Sequence, residues 1–509
     1  MMTFHSRNFR SFDNRRCLKS INVHTIYAIS IAATMIFLSH AFLSPTLSFE
    51  KLKSCPCMAG SGAQTIWPAR GSTSESRAQT SAKDSNTNSP RHQAKRDIRN
   101  RVIAYYVHAV VAFDAYGIPL SSGPYLEYYY NTLCPTTRLT HLALIFGVQY
   151  FGTFAAESWA IFFYGGKHWR WSFYCACAFA VLCQLLAAFP FSKHWGINLA
   201  VRGLSGIFLG YLRGMSLLCL ASHYHDNVAV VSMQSGAAAM AGAAVHSIVA
   251  TLFFRDRHYR QLTWVNFGIV ALSLTLSIPF MNKSIKQIST SSDLKRNQSL
   301  ALHSTPQTSR HAHNAGILFT IGYLLIFFTA FVWPTFFPLL FSSHPIYEFP
   351  YQATHWLLAL FGAAALASAY IGSLHLQRHL GAVNTFTAAS VYAGLILLAA
   401  AWNPGFWVWG ILTVLYGFCL PAILVLHTKV VAVFLGREPR RGWRWLGVHG
   451  FAFGRGVAIL AGIGVAGMFI EATGRADVIL GYCGGLLLVG GAMVGAARFC
   501  RYSERYVVV

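Results

Sequence analysis

The stretch 282–313 reads NKSIKQISTSSDLKRNQSLALHSTPQTSRHAH. Ser, Thr, Asn, Gln and basic residues fill it without apolar periodicity, which is the composition of a linker. On either side lie apolar runs of the length a bilayer dictates, because a helix needs roughly 20 residues to cross about 30 Å of hydrocarbon. Upstream they fall near 103–125, 139–163, 171–190, 196–220, 228–254 and 262–281. Downstream they fall near 314–340, 353–374, 383–401, 405–430, 446–470 and 477–497. The expectation is an all-α polytopic membrane protein with 12 core transmembrane helices in two six-helix bundles, 102–281 and 314–497, joined by a cytoplasmic linker and followed by a cytoplasmic tail, 498–509.

Composition supports this. Of 509 residues, 54% are hydrophobic and 11% are charged, where a soluble domain carries about 25% charge. Mean hydropathy is +0.44, so soluble and disordered classes are excluded. The net charge of +24 is dispersed: residues 1–101 hold 15 Lys/Arg against 5 Asp/Glu, and the remainder hold 25 against 11. Cationic tails and short loops suit an anionic leaflet rather than a nucleic acid, and no groove-reading module is present. Residues 1–101 read as a mostly disordered basic tail. Within it Val23–Leu43 is apolar and follows Arg15, Arg16 and Lys19, the pattern of a signal anchor, a cleaved signal or an added span. An uncleaved extra helix is the reading adopted. With residue 101 cytoplasmic, the inside connections hold fifteen basic residues and the outside ones six, which favours both ends of the 12-helix core inside.

Ionisable residues are placed unevenly. The third, sixth and ninth spans contain no Asp, Glu, Lys, Arg or His, and the twelfth contains none beyond Asp477 at its first position. Within the other spans such residues include Asp114, Glu157, Arg202, Arg213, His246, His355, His427, Lys429 and Arg455. A charge at mid-span costs roughly 2.5–3.5 kcal/mol on insertion scales and so needs a partner or a wet cavity. The blank helices are therefore expected on the lipid side.

Six-plus-six spans around a polar midplane resemble the major facilitator superfamily, and within it the monocarboxylate-porter-like group of fungal type. Ser122-Gly123-Pro124-Tyr125-Leu126-Glu127-Tyr128-Tyr129 with Cys134-Pro135 is similar to that group's turn after the first span. Arg378-His379-Leu380-Gly381-Ala382-Val383-Asn384 is similar to its G-x-x-A-D-R-x-G-R-x-N loop at the Gly and the Asn. The resemblance covers roughly 102–500 and implies alternating access without a cofactor. There are departures. Gly165-Gly166-Lys167-His168-Trp169-Arg170 lacks the Asp of the superfamily's first loop motif, and Arg378 stands where its second copy has Asp. The Asp/Arg pair of proton-coupled monocarboxylate carriers is missing from the eighth span, leaving His355.

Seven residues are candidates for the substrate or proton pathway: Asp114, Arg202, Arg213, Glu157, His246, His355 and Arg455. Asp114 lies near the midplane, ahead of Gly117, Pro119, Gly123 and Pro124, and interruptions of this kind point to a binding region. Its alternative is a packing hydrogen bond to Ser or Tyr. Arg202 and Arg213, eleven residues apart, return to within about 20° on one helix face, where they suit an anion, unless Arg202 snorkels and Arg213 neutralises Asp114 or Glu157. Glu157 has Arg213 or Arg455 as its partner, in a gate or a static pair. His246 and His355 are proton relays or hydrogen-bonded packing residues. Gly203, Gly206, Gly210 and Gly214 read as close helix approach.

The functional expectation is a secondary transporter moving a small organic solute, carboxylates included, with protons as the candidate coupling ion. The alternatives are efflux of a secondary metabolite and a transporter-like sensor or scaffold. No enzyme chemistry, metal, cofactor or nucleic-acid partner is expected. The chain is expected to be a monomer in the plasma membrane, with an organelle membrane as the alternative.

Overall fold

The computed structural model describes residues 90–164, 168–189, 194–224, 228–254, 258–285, 310–342, 351–374, 376–402, 405–435 and 441–501. Val23–Leu43, most of the basic tail, the linker between 286 and 309, and the end beyond 501 lie outside the described residues. Every regular element among the described residues is a helix. Eleven are long and apolar enough to cross a bilayer, and a shorter apolar stretch completes the set. They are α1 (Arg96–Leu133), α2 (Leu139–Phe163), α3 (Trp169–Leu186), α4 (Trp195–Tyr224), α5 (Val230–Phe254), α6 (Tyr259–Lys283), α7 (Asn314–Phe341), α8 (Trp356–Gly372), α9 (Ala382–Ala401), α10 (Trp407–Phe434), α11 (His449–Thr473) and α12 (Ala476–Cys500). In hydrocarbon each helix satisfies its own backbone groups, which is why so apolar a chain resolves into helices alone. The chain is a multi-pass, all-α membrane protein.

Two spans are broken at corresponding places. In α1 the helix stops at Leu120 and restarts as Ser122–Tyr128. Pro119 lacks the amide hydrogen that would continue the ladder, and its carbonyl accepts a hydrogen bond from the Tyr150 hydroxyl at 2.8 Å. In α7 the helix stops at Thr329 and restarts at Val332, and the Ala330 carbonyl accepts from the Tyr416 hydroxyl at 2.8 Å. The restarted segments meet. Ser122 Oγ donates to Thr335 Oγ1 at 3.3 Å, and a Cβ on Gly123 would lie 2.6 Å from the Pro334 carbonyl oxygen.

Small residues set the spacing of the inner helices. A Cβ added at Gly206, Gly210 or Gly214 of α4 would collide with the carbonyl of Gln149, Thr153 or Glu157 of α2 in turn. The four-residue step is the same in both helices, so one ridge lies in one groove. Between the halves, α2 packs along α11 and α5 along α8. Before α9, Gly381 has φ 78° and ψ 166°, a backbone region essentially confined to glycine, and Asn384 Nδ2 donates back to the Leu380 carbonyl at 2.7 Å. Gly381 and Asn384 thus hold the turn that precedes α9.

Two of the four blank helices, α3 and α6, are the least buried of the eleven long spans, while α9 and α12, at 44%, match α11, which carries Arg455. Of the apolar stretches of α3 and α6, 39% and 28% are buried, against 89% for α1. Trp171 and Phe179 on α3, Trp264 and Leu272 on α6, Tyr392 and Leu395 on α9 and Val489 on α12 are exposed. Asp114, Arg213 and Arg455 are buried. α6 does more than face lipid, because its Asn266 and Ser273 turn inward to hydrogen-bonding partners.

Candidate functional site

Glu157 sits where α2 tightens from the α-helix Leu139–Ala156 into a 3-10 turn, Glu157–Trp159. Because Gly214 lets α4 close on this turn, the preceding residue, Arg213, comes into contact with Glu157. Its Nη1 donates to Glu157 Oε1. The other carboxylate oxygen, Oε2, faces the second half: Arg455 Nη2 of α11 donates to it at 3.1 Å. The same nitrogen donates to the Phe154 carbonyl at 3.1 Å, and Arg455 Nη1 donates to the Tyr323 hydroxyl of α7 at 3.4 Å. Tyr116 of α1 donates to Oε2 at 3.4 Å. Aromatic faces pack over the cations, Arg213 on Tyr116 at 4.2 Å and Arg455 on Phe154 at 4.6 Å to the ring centroids. His427 of α10 completes the group, with Nε2 at 3.9 Å from Oε2.

One carboxylate therefore faces two guanidiniums. With His427 neutral, the node carries a net charge of about +1. Two unit charges at about 4 Å interact by roughly 4 kcal/mol at an effective dielectric near 20, so the surplus cation is a strong attractor for an anion of matching shape. Guanidinium forks match carboxylates and related oxyanions. The node joins α1, α2 and α4 to α7, α10 and α11 across the seam between the halves.

A second polar chain stays within the first half. Ser273 Oγ of α6 donates to Asp114 Oδ2. His246 Nε2 of α5 lies 3.9 Å from Asp114 Oδ1, and its Nδ1 is 3.0 Å from Asn266 Oδ1. Asn266 Nδ2 donates to the Tyr125 hydroxyl, and the Arg202 guanidinium covers the Tyr125 ring at 4.8 Å. Tyr129 and Tyr259 hydroxyls share a hydrogen bond of 2.9 Å beside it. Arg202 is buried rather than extended to the membrane edge.

The seven expected residues thus divide. Glu157, Arg213 and Arg455 come together; Asp114, His246 and Arg202 lie along a separate chain. His355 falls in the opening turns of the helix Tyr351–Leu374, and its side chain lies outside the described residues. Arg213 pairs with Glu157, and Glu157 takes Arg213 and Arg455 together where the sequence offered either. Tyr116, Tyr323 and His427 were not among the seven. Depth could have found His427: Glu157, His427 and Arg455 each stand about two turns from the same-face ends of α2, α10 and α11.

No protein-family model matches the sequence, and no curated protein is significantly similar to it. Solved structures do match in shape. The human organic anion transporter MFSD10 (TETRAN) aligns with a TM-score of 0.54 at 16% identity, over 78% of this chain and 99% of that one. A point mutant of the nucleoside transporter NupG aligns with a TM-score of 0.53 at 12% identity, over 77% of this chain and 98% of that one. Both are major facilitator transporters, and the chain has that fold.

Proposed function

We infer that the chain is a secondary transporter that carries a small organic anion through the seam between its halves by alternating access. The observation that carries this is the node in which one buried carboxylate serves two buried guanidiniums drawn from opposite halves. An incoming anion takes over Arg213 and Arg455 in competition with Glu157, and contact between the halves then depends on the solute. One structural neighbour is an organic anion transporter, which agrees with the sign of that charge. In this reading Asp114, His246 and Arg202 brace the first half. The basic-residue count supports cytoplasmic ends for the helical core, and we place the protein as a monomer in the plasma membrane. Membership of the monocarboxylate-porter-like group rests on the motifs around Ser122 and Gly381 alone.

The test is uptake by full-length protein in proteoliposomes, with labelled monocarboxylates, dicarboxylates, an aryl sulfonate and neutral nucleosides as the panel. The expected result is saturable uptake of at least one anion, lost in Arg213→Gln and in Arg455→Gln, each of which folds and inserts. Transport confined to the nucleosides, or anion transport indifferent to both substitutions, overturns the reading.

A further inference from the structure

His427 is turned in an unusual direction for a histidine beside a carboxylate. Its Nδ1 lies 2.6 Å from the Leu424 carbonyl, an acceptor only, so Nδ1 carries the ring proton and Nε2 presents a lone pair. That nitrogen is buried, has no hydrogen-bond partner, and points at Glu157 Oε2 from 3.9 Å. Two electron-rich atoms face each other with no hydrogen between them. A proton placed on Nε2 turns this contact into an attraction and draws Glu157 away from Arg455.

The surroundings decide when the proton can come. Glu157 of α2, Arg213 of α4 and Arg455 of α11 are the charged groups at this point. Tyr116 of α1 and Tyr323 of α7 bond to the same groups, and the Phe154 and Phe327 rings flank the imidazole at 6.2 and 5.7 Å. On α5, His246 is held to Asn266 through Nδ1, while its Nε2, also without a hydrogen-bond partner, faces Asp114 Oδ1 at 3.9 Å. On α10 itself, Lys429 is two positions further on, about 200° around the helix. The resting node holds a net charge of about +1; a proton alone raises it to about +2 in a water-poor interior, and a monoanion alone lowers it to zero. Anion and proton together restore the resting charge.

We propose that His427 Nε2 is the proton site of this carrier, filled from water when an organic monoanion occupies Arg213 and Arg455, so that the two cross the membrane together. The proposal rests on the anion-carrier reading. The bond formed is Nε2–H, the proton coming from solvent on the side of entry and returning to solvent on the side of release.

Benzenesulfonate is the probe, because it stays ionised and neither crosses membranes as a neutral acid nor takes up protons itself. It is titrated into the full-length protein in nanodiscs, in weakly buffered solution with a pH indicator. The wild type is expected to take up about one proton per anion bound, so that affinity falls about tenfold per pH unit above the titration point. His427→Gln and His427→Asn are expected to bind benzenesulfonate with no proton uptake and a flat pH profile. The Asn amide keeps a donor for the Leu424 carbonyl, and size-exclusion and thermal unfolding profiles confirm that both variants fold. Binding by the wild type without proton uptake overturns the proposal and leaves the anion reading standing. So does proton uptake that persists in both His427 variants, or that vanishes in Asp114→Asn instead. Absence of any benzenesulfonate binding to the wild type overturns both.

Discussion

Glu157 and Asp114 are both buried carboxylates, yet they answer to different tests. Removing one member of a buried ion pair strands the other at a cost of about 3–5 kcal/mol. Glu157→Gln strands two guanidiniums rather than one. It is expected to bind an anionic probe at least tenfold more tightly and to release it more slowly, so equilibrium affinity rises while the turnover of flux falls. A loss of affinity in this variant would place the anion elsewhere. Asp114→Asn keeps an acceptor for Ser273 but loses its charge opposite His246, and hydrogen bonds to charged groups are worth about 1.5–3 kcal/mol. Its expected signature is a lower unfolding temperature with anion affinity within twofold of wild type. The residues of the node were legible as isolated ionisable positions, because charge in an apolar run is conspicuous. Their grouping was not: Arg455 and Glu157 are 298 residues apart, and no helical period reports which face one bundle turns to another.

Elements were far more legible than contacts. Each span shows itself by a run of apolar residues long enough for the bilayer, a local property that needs no knowledge of neighbours. The blank helices were placed outside on charge alone; the low burial of α3 and α6 agrees, whereas α9 and α12 are buried no less than α11. Hidden from the sequence were the restarts in α1 and α7, since Gly and Pro mark an interruption without saying what it meets. The glycine step in α4 is the strictest local requirement. Gly210→Val puts a branched side chain against the Thr153 backbone, where overpacking costs about 1–3 kcal/mol when neighbours can yield and more when they are backbone. The expected outcome is loss of monodisperse protein in detergent, with Gly268→Ala, on the open side of α6, as the tolerated control. Gly381→Ala meets a backbone conformation costing about 1–3 kcal/mol, read as an equivalent drop in stability without a change in anion affinity.

Across the whole molecule, α2 and α11 are tied twice. At one end Glu471 of α11 accepts hydrogen bonds from the Thr140 amide at 3.2 Å and the Thr140 hydroxyl at 2.7 Å, covering the start of α2. Toward the other end, Arg455 of α11 holds Glu157 of α2. Rocking that parts the first end must release Glu471, so Glu471→Gln is expected to favour the state open on that face. A cysteine introduced at Ser122→Cys, where the restarted segments meet, should then react severalfold faster with a membrane-impermeant maleimide, followed peptide by peptide in a mass spectrometer. Unchanged labelling would mean that the Thr140–Glu471 contact does not hold the halves.

The shared carboxylate also bears on how the protein is made. Glu157 and Arg213 lie 56 residues apart, so the ribosome delivers Arg213 while the first bundle is still assembling, and that bundle can become electrically balanced on its own. Arg455 arrives much later and finds its anion already engaged. Produced separately, the first half should therefore accumulate in the membrane unaided, whereas the second half, with an unmatched guanidinium in its interior, should be degraded unless its counterpart is co-expressed.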